Sequence, residues 1–271
     1  MSDAEAPDRP FVAGMYDYYL GGTANSAADR AAVDQMKQVT PDVIDAAWAN
    51  RGFLQRAVRR MAQDWGVRQF IDIGAGLPTQ RNTHEVVGEV IADGRVVYVD
   101  IDERVIQRGR AMLDGASGTA VILGDIRKPD EILGHPETQR LIDFSQPVGL
   151  LMVAVTQFVS DADDPWGMIT RYTDAVAPGS YLALSAVTSD RQAERIVQAA
   201  TKVYARTPTP AAARSKADIE RFFSGLQIVP PYEGAASEVT YVGQWGAEDP
   251  EAADSDGSRW FYAAVARKEA T

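Results

Sequence analysis

The chain has 271 residues, enough for one large α/β domain with additions or for two small domains. Hydrophobic residues make up 45% of it and charged residues 24%, which is an ordinary globular composition. The net charge of −11 disfavours binding to an extended nucleic acid, and the absence of cysteine excludes disulfides, thiol nucleophiles and thiolate-bound zinc.

The first sixty residues are predicted to be mostly helical. Residues 27–38 are rich in alanine with a charged face, and residues 41–61 carry apolar side chains at helical spacing. Thr40 followed by Pro41 predicts a helix start, with the threonine as N-cap and the proline in the first helical position.

Apolar runs alternate with helical stretches in the middle of the chain. Runs of this length suit strands that are buried on both faces of a parallel sheet. The alternation predicts right-handed βαβ units, and therefore an α/β, Rossmann-like, doubly wound sheet. The predicted strands are residues 69–73, 95–99, 119–123, 148–155 and 180–185, and the predicted helices are residues 79–91, 103–113 and 165–176.

The last part of the chain follows another pattern. Residues 217–223 are predicted to be helical, and residues 226–229 and 260–266 are predicted strands. Because no helix is predicted after residue 247, the last strand can join the sheet in the antiparallel direction.

Two glycines, Gly74 and Gly76, follow the first predicted strand directly. Glycine lets a ligand approach the backbone and lets the chain turn sharply. The helix predicted after residues 77–79 would point its N-terminal amides at the same place. Asp100 ends the second strand, where a carboxylate can accept hydrogen bonds from both hydroxyls of a ribose. Asp125 ends the third strand, where the base of a nucleoside would lie.

Two other interpretations of this pattern remain open. A dinucleotide-binding fingerprint requires a third glycine three residues after the second, and this chain has Thr79 there. The spacing therefore favours a nucleoside without demanding a pyrophosphate. The glycines could also be ordinary turn residues and the aspartates solvated surface groups.

These residues resemble the nucleoside-binding core of class I S-adenosylmethionine (SAM)-dependent methyltransferases. The similarity is greater to an actinobacterial branch long catalogued as a domain of unknown function with this fold. Asp-Ile-Gly-Ala-Gly-Leu-Pro-Thr at residues 72–79 is the distinctive motif, and the resemblance covers almost the whole chain. The other matching segments are residues 16–22, 50–54, 82–85, 97–102 and 183–185.

The resemblance implies a seven-stranded sheet with an antiparallel last strand, and SAM as the cofactor. Residues 1–60 would form an N-terminal helical cap in the same domain as the SAM-binding residues 61–271. The implied SAM contacts are Asp72, Gly74 and Gly76 along the methionine part, Asp100 at the ribose, Asp125 and Ile126 at the adenine, and Val153 and Ala154 bordering the methionine side. Ala75 and Ile101 are predicted cofactor contacts beside them.

This chain departs from the branch at two positions. Residues 156–158 read Thr-Gln-Phe where the branch usually has Leu-His-Phe, and Ala75 stands where the branch favours threonine. The missing histidine puts any acid–base role for a histidine at that position in doubt.

The candidate catalytic residues are Tyr16 and Gln157, and the candidate substrate-binding residues are Tyr18, Tyr19 and Arg51. Tyrosines can form an aromatic wall or act as a phenolic acid or base, and arginine can bind a carboxylate with two hydrogen bonds. The alternatives are packing of a short helix for the tyrosines, a plain surface position for the glutamine, and a surface ion pair for the arginine.

The predicted function is SAM-dependent methyl transfer to a small molecule of the secondary-metabolite kind. A cap rich in tyrosine and an acidic surface favour a metabolite over a nucleic acid. One alternative is intramolecular cyclisation or lyase chemistry on SAM that releases methylthioadenosine, with Tyr16 as the base. Another is a protein that binds SAM without catalysis.

The sequence contains two histidines and no long apolar run, which bears on metal binding and on membrane insertion. His84 and His135 are interpreted as structural, and no metal site is expected. No signal peptide is recognised, and no stretch of about 18 apolar residues marks a membrane span. We therefore expect a cytoplasmic protein without a membrane partner.

Overall fold

The computed structural model describes residues 9–78, 81–113 and 116–270, in which eight strands form one sheet with helices on both faces. The helices are α1 (Val12–Tyr19), α2 (Ala27–Val39), α3 (Val43–Gln63), α4 (Thr83–Gly88), α5 (Glu103–Met112), α6 (Pro129–Leu133), α7 (Pro136–Leu141), α8 (Pro165–Asp174), α9 (Glu194–Tyr204) and α10 (Lys216–Glu220). The strands are β1 (Gln69–Ile73), β2 (Arg95–Asp100), β3 (Thr119–Leu123), β4 (Gly149–Val153), β5 (Tyr181–Val187), β6 (Gln227–Ile228), β7 (Thr240–Tyr241) and β8 (Phe261–Arg267).

The sheet has the strand order β3-β2-β1-β4-β5-β8-β6. Strands β1 to β5 are parallel, and β8 runs antiparallel to β5, β6 and β7. The predicted Rossmann-like fold with its antiparallel last strand is confirmed. The eighth strand is the two-residue β7, which pairs with β8 beside the seven-strand path and is too short to give a sequence pattern.

Each face of the central strands carries its own buried cluster. On one face, Phe53 and Met61 of α3 pack in a cluster with Phe70 of β1. On the other face, Ile71 of β1 and Tyr172 of α8 belong to a second cluster. Because successive side chains of a strand point to opposite faces, burial of both faces requires an apolar residue at nearly every position. This explains why the central strands were recognisable as continuous apolar runs.

One predicted helix start is wrong, and another falls outside the described residues. Helix α3 begins at Val43 after Asp42, whereas Thr40 is the last, extended residue after α2. Helix α4 begins at Thr83, where the Glu85 carboxylate accepts a hydrogen bond from the Asn82 N–H at 2.5 Å. The predicted start of α4 at residue 79 lies outside the described residues. The predicted limit of the helical cap, residue 60, falls inside α3.

Three helices have no counterpart in the sequence-based prediction. Helices α6 and α7 have five and six residues, too few for a helical period to be visible. Helix α9 is longer, but Val203 is its only buried residue, in a cluster with Val33 and Met36 of α2. It therefore packs against the N-terminal helices and away from the sheet.

None of the described helices is long and apolar enough to cross a membrane.

Candidate functional site

The glycine loop after β1 is a tight turn at the carboxyl end of the sheet. The N–H groups of Gly74 and Ala75 both donate to the Val99 carbonyl, at 2.8 and 3.1 Å. Gly74 has φ +75° and Gly76 has φ +67°, a backbone region that favours glycine. A Cβ on Gly74 would lie 2.3 Å from Val155, whereas a Cβ on Gly76 would meet nothing within 4 Å. Gly74 therefore allows close packing against Val155, whereas Gly76 borders open space.

Asp100 ties the end of β2 to this loop. One carboxylate oxygen accepts a hydrogen bond from the Gly76 N–H at 2.9 Å, and the other accepts from the Asp102 N–H at 3.0 Å. Burial raises the pKa of Asp100, while the backbone N–H bonds oppose this shift. The carboxylate thus lies beside the open space next to Gly76, where a bound nucleoside would place its ribose.

Exposed aliphatic side chains follow the same edge of the sheet. Ile101, after β2, is 50% exposed, and Leu123, the last residue of β3, is 47% exposed. Asp125 pairs with Arg127 at 2.6 Å, and this contact lowers the pKa of Asp125. The Ile126 carbonyl accepts a hydrogen bond from the Tyr172 hydroxyl at 2.9 Å. An uncovered apolar edge next to a carboxylate fits the base and sugar of a nucleoside.

Asp72 lies behind the glycine loop with Arg51. The Asp72 carboxylate is buried and accepts a hydrogen bond from the Thr83 hydroxyl at 2.6 Å. Burial raises its pKa to about 6, although Thr83 and the charge of Arg51 pull it down. Arg51 is only 7% exposed, and its guanidinium lies 3.4 Å from the Asn82 amide oxygen. The alternative of a surface ion pair for Arg51 is therefore wrong.

The end of β4 has an unusual backbone. Ala154 has φ +54°, a left-handed conformation that costs a residue with a Cβ about 1–2 kcal/mol. Its N–H donates to the Ser185 hydroxyl at 3.0 Å, and its carbonyl accepts from the Gln157 side-chain amide at 2.9 Å. Gln157 is buried, so it is not a plain surface residue, and its Oε1 has no hydrogen-bond partner among the described residues.

The three tyrosines of α1 do not form one wall. The Tyr16 hydroxyl donates to the Ala47 carbonyl at 3.2 Å, and the ring of Tyr18 lies 4.9 Å from the Lys37 ammonium. Tyr19 is buried beside Tyr204 of α9. Burial raises the pKa of Tyr16, which disfavours the phenolate that a base at this position would need.

A cavity of about 150 Å³ adjoins the loop on the side of α4 and α5. Gly76 and Asp100 form part of its lining, and so does His84. The Nδ1 of His84 lies 2.7 Å from the Tyr98 hydroxyl, and burial lowers the pKa of His84. Within the described parts of the chain, no three His, Asp or Glu side chains come together as a possible metal site.

Three residues of this region were missed as site residues by the sequence analysis. Asn50, Thr83 and Ser185 each lie in a segment that the family resemblance included, but nothing in the sequence shows what they contact. Their partners are distant in sequence: Ser185 bonds to Asn50 across 135 positions. Membership in a matching segment was the only available signal.

Comparison with known proteins places this geometry in a family. The family model described as S-adenosyl methyltransferase matches residues 3–269. A methyltransferase candidate from Thermobifida fusca is 37% identical with a TM-score of 0.87, over 97% of this chain and 96% of that one. A DUF574 family protein from Streptomyces avermitilis is 36% identical with a TM-score of 0.88, over 96% and 98%.

A more distant structure shares the fold alone. The N-methyltransferase NodS from Bradyrhizobium japonicum is 13% identical with a TM-score of 0.50, over 81% of this chain and 95% of that one. No curated protein matches the chain. Because the family model and both similar structures cover nearly all of it, the chain belongs to the S-adenosyl methyltransferase family, and its cofactor is SAM.

Proposed function

We propose that this protein transfers the methyl group of SAM to a small molecule. The observation that carries the proposal is the position of α1 close to the carboxyl end of the sheet. Its Tyr16 hydroxyl accepts a hydrogen bond from Asn50, and Asn50 contacts Ser185 next to the end of β4. A helix docked at this place narrows the access of a polymer to the end of β4, and the net charge of −11 also opposes nucleic acid.

The residues along the edge of the sheet have the chemistry that SAM requires. When bound, SAM supplies a methyl group made electrophilic by its sulfonium. Asp100 accepts hydrogen bonds from the ribose hydroxyls, and the exposed Ile101 covers the adenine. Asp125 and Ile126 lie beyond Ile101, at the far side of the adenine. Asp72 in its ionised form attracts the cofactor's ammonium group, and Val153 and Ala154 border the methionine end.

Gln157 is the proposed contact to the acceptor. Its amide nitrogen donates to the Ala154 carbonyl, and its Oε1 has no hydrogen-bond partner in the part of the chain that the structure describes. An oxygen without a partner accepts a hydrogen bond, which suits a hydroxyl or amino group and not a carboxylate. Methyl transfer needs such positioning, and it needs a base only when the nucleophile carries a proton of high pKa.

We propose different roles for the three remaining predicted substrate-binding residues. Arg51 is buried close to Asp72, so we propose that it balances that carboxylate and can contact an anionic group of a ligand. Tyr19 is buried beside α9, and we propose that it closes the acceptor side. We propose no substrate contact for Tyr18, because its ring faces Lys37 of α2.

Tyr16, the candidate base for intramolecular chemistry on SAM, is poorly suited to that role. Burial raises its pKa, and its hydroxyl donates to a backbone carbonyl. We therefore infer methyl transfer over lyase chemistry. A site that only binds SAM would gain nothing from a buried, unpartnered acceptor such as the Gln157 oxygen.

Labelled SAM tests the class of acceptor. The protein is incubated with methyl-labelled SAM and a Streptomyces cell extract divided by size into metabolites, nucleic acids and proteins. We expect label to enter the metabolite fraction only. Gln157→Leu should reduce that transfer by much more than it reduces SAM affinity, which falls only through the lost hydrogen bond to the Ala154 carbonyl. Label in the nucleic-acid or protein fraction would contradict the proposed acceptor.

The affinity for SAM should fall as the pH drops below about 6. Asp72 has a pKa of about 6 and attracts the ammonium group only when ionised, so each further pH unit should weaken binding about tenfold. Calorimetric titrations with SAM from pH 8 to pH 5 measure this dependence. Asp72→Asn, which keeps the shape but cannot ionise, should bind weakly with little pH dependence.

Acid unfolding is a separate process and has the opposite sign for this group. Because the folded-state pKa of Asp72 is raised, the folded protein binds this proton more tightly than the unfolded chain does. Its contribution to stability therefore increases as the pH falls through 6.

An affinity for SAM that stays constant between pH 7 and pH 5 would show that Asp72 does not face the ammonium group.

A further inference from the structure

A continuous line of buried hydrogen bonds joins α1 to the end of β4. The Asn50 amide nitrogen donates to the Tyr16 hydroxyl at 2.9 Å, and the Ser185 hydroxyl donates to the Asn50 amide oxygen at 2.5 Å. The Ser185 oxygen in turn accepts from the Ala154 N–H at 3.0 Å. Asn50 is 1% exposed and Ser185 is fully buried. Helices α1 and α3, strand β5 and the end of β4 thus share one polar connection.

The direction of every donor in this line is fixed. Tyr16 gives its proton to the Ala47 carbonyl, so its oxygen is free to accept from Asn50. Reversing the Asn50 amide would require the Tyr16 hydroxyl to give up the Ala47 carbonyl and would leave the Ser185 hydroxyl proton without its acceptor. Loss of one member of the line leaves a buried neighbour without its partner.

The line ends on Ala154, one of four described residues other than glycine that have a positive φ. Ala154 holds its left-handed conformation with its N–H on Ser185 and its carbonyl on Gln157. Strained backbone of this kind persists only where the surroundings determine it. The Ala154 N–H also donates to the Ser185 backbone carbonyl at 3.0 Å, so removing the Ser185 hydroxyl weakens the hold on the Ala154 peptide without abolishing it.

We propose that Asn50 and Ser185 are positioning residues that couple the docking of α1 to the shape of the cofactor pocket. SAM binding, which needs the Ala154 backbone in place, then favours a docked α1, and a docked α1 favours SAM binding by the same factor. This inference rests on the proposed function, because it takes Val153 and Ala154 as the border of the methionine end. Neither positioning residue needs to touch the acceptor.

Three variants and two measurements test the coupling. Tyr16→Phe and Ser185→Ala each break the line, and each should weaken SAM binding about fivefold in calorimetry, the loss expected for one hydrogen bond. The double variant should bind about as weakly as either single one, because the line is already broken. Hydrogen exchange of residues 12–19 should slow on adding SAM to the wild-type protein, and should not slow in Ser185→Ala.

Ser180→Ala is the matched control. Ser180 lies at the other end of the sheet on the same chain segment, is 1% exposed, and accepts a hydrogen bond from the Val148 N–H at 2.9 Å. It should lower the melting temperature as much as Ser185→Ala does, with SAM affinity and the exchange of residues 12–19 unaffected. A general loss of stability would move both variants alike.

The outcomes separate this inference from the proposed function. If SAM slows exchange at residues 72–76 in the wild-type protein but not at residues 12–19, the coupling is wrong and the cofactor site stands. Additive losses in the double variant would also overturn the coupling. If SAM has no effect on either segment, the proposed function itself fails.

Discussion

Replacing Asp100 by alanine should weaken SAM binding by about 10²–10⁴-fold, since two charge-assisted hydrogen bonds to the ribose contribute roughly 1.5–3 kcal/mol each. The carboxylate also accepts the Gly76 N–H at 2.9 Å, so its loss loosens the glycine loop as well. Calorimetric titration of both proteins with SAM and with S-adenosylhomocysteine measures the difference. Both ligands should be affected equally because they share the ribose.

Asp102→Asn is the matched control for this experiment. Asp102 lies two residues further on, pairs with Arg104 at 2.5 Å and caps the start of α5. Its carboxylate is directed at its own helix, so the change should leave SAM affinity within about twofold, as expected for a partly exposed ion pair. Asp100→Ala with the affinity of the wild-type protein would show that Asp100 does not hold the ribose.

Alanine at Gly74 and at Gly76 should have contrasting effects. Gly74→Ala places a Cβ 2.3 Å from Val155 at φ +75°, so overpacking and backbone strain together should lower the stability by about 2–5 kcal/mol. Gly76→Ala at φ +67° meets nothing within 4 Å, so only strain of about 1–2 kcal/mol is expected. Its methyl group instead enters the open space that the cofactor needs, and SAM binding should weaken by more than tenfold.

Thermal unfolding and SAM titration of the two variants distinguish these effects. Gly74→Ala should show the larger fall in melting temperature, and Gly76→Ala the larger loss of affinity relative to its loss of stability. Near-normal SAM binding by Gly76→Ala would mean that the cofactor does not approach the backbone at this glycine.

The fold was predictable because its central strands are buried on both faces. β4 appears in the sequence as an uninterrupted apolar run and β1 as a short run interrupted by Asp72, and the glycines after β1 mark where the first strand ends. The antiparallel β8 followed from the absence of a helix before it. Helix α9 was not predictable, because it packs on the N-terminal helices and keeps most of its surface in solvent.

The site was predictable only in part, for a similar reason. Gly74, Gly76 and Asp100 follow strands directly, so chain order alone brings them to one edge of the sheet. The line from Tyr16 through Asn50 to Ser185 depends on how α1 and α3 pack on the sheet, which no local pattern encodes. The burial of Arg51 and Gln157 also arises from tertiary packing, and it changes the role that each can have.

Mass spectrometry of the products from SAM tests methyl transfer most directly. The protein is incubated with SAM alone, and then with SAM and the metabolite fraction that accepts the label. We expect SAM to remain unchanged in the first reaction, and S-adenosylhomocysteine to form in the second in equal amount to a product heavier by one methyl group. Methylthioadenosine released from SAM alone would contradict methyl transfer and establish the intramolecular reaction.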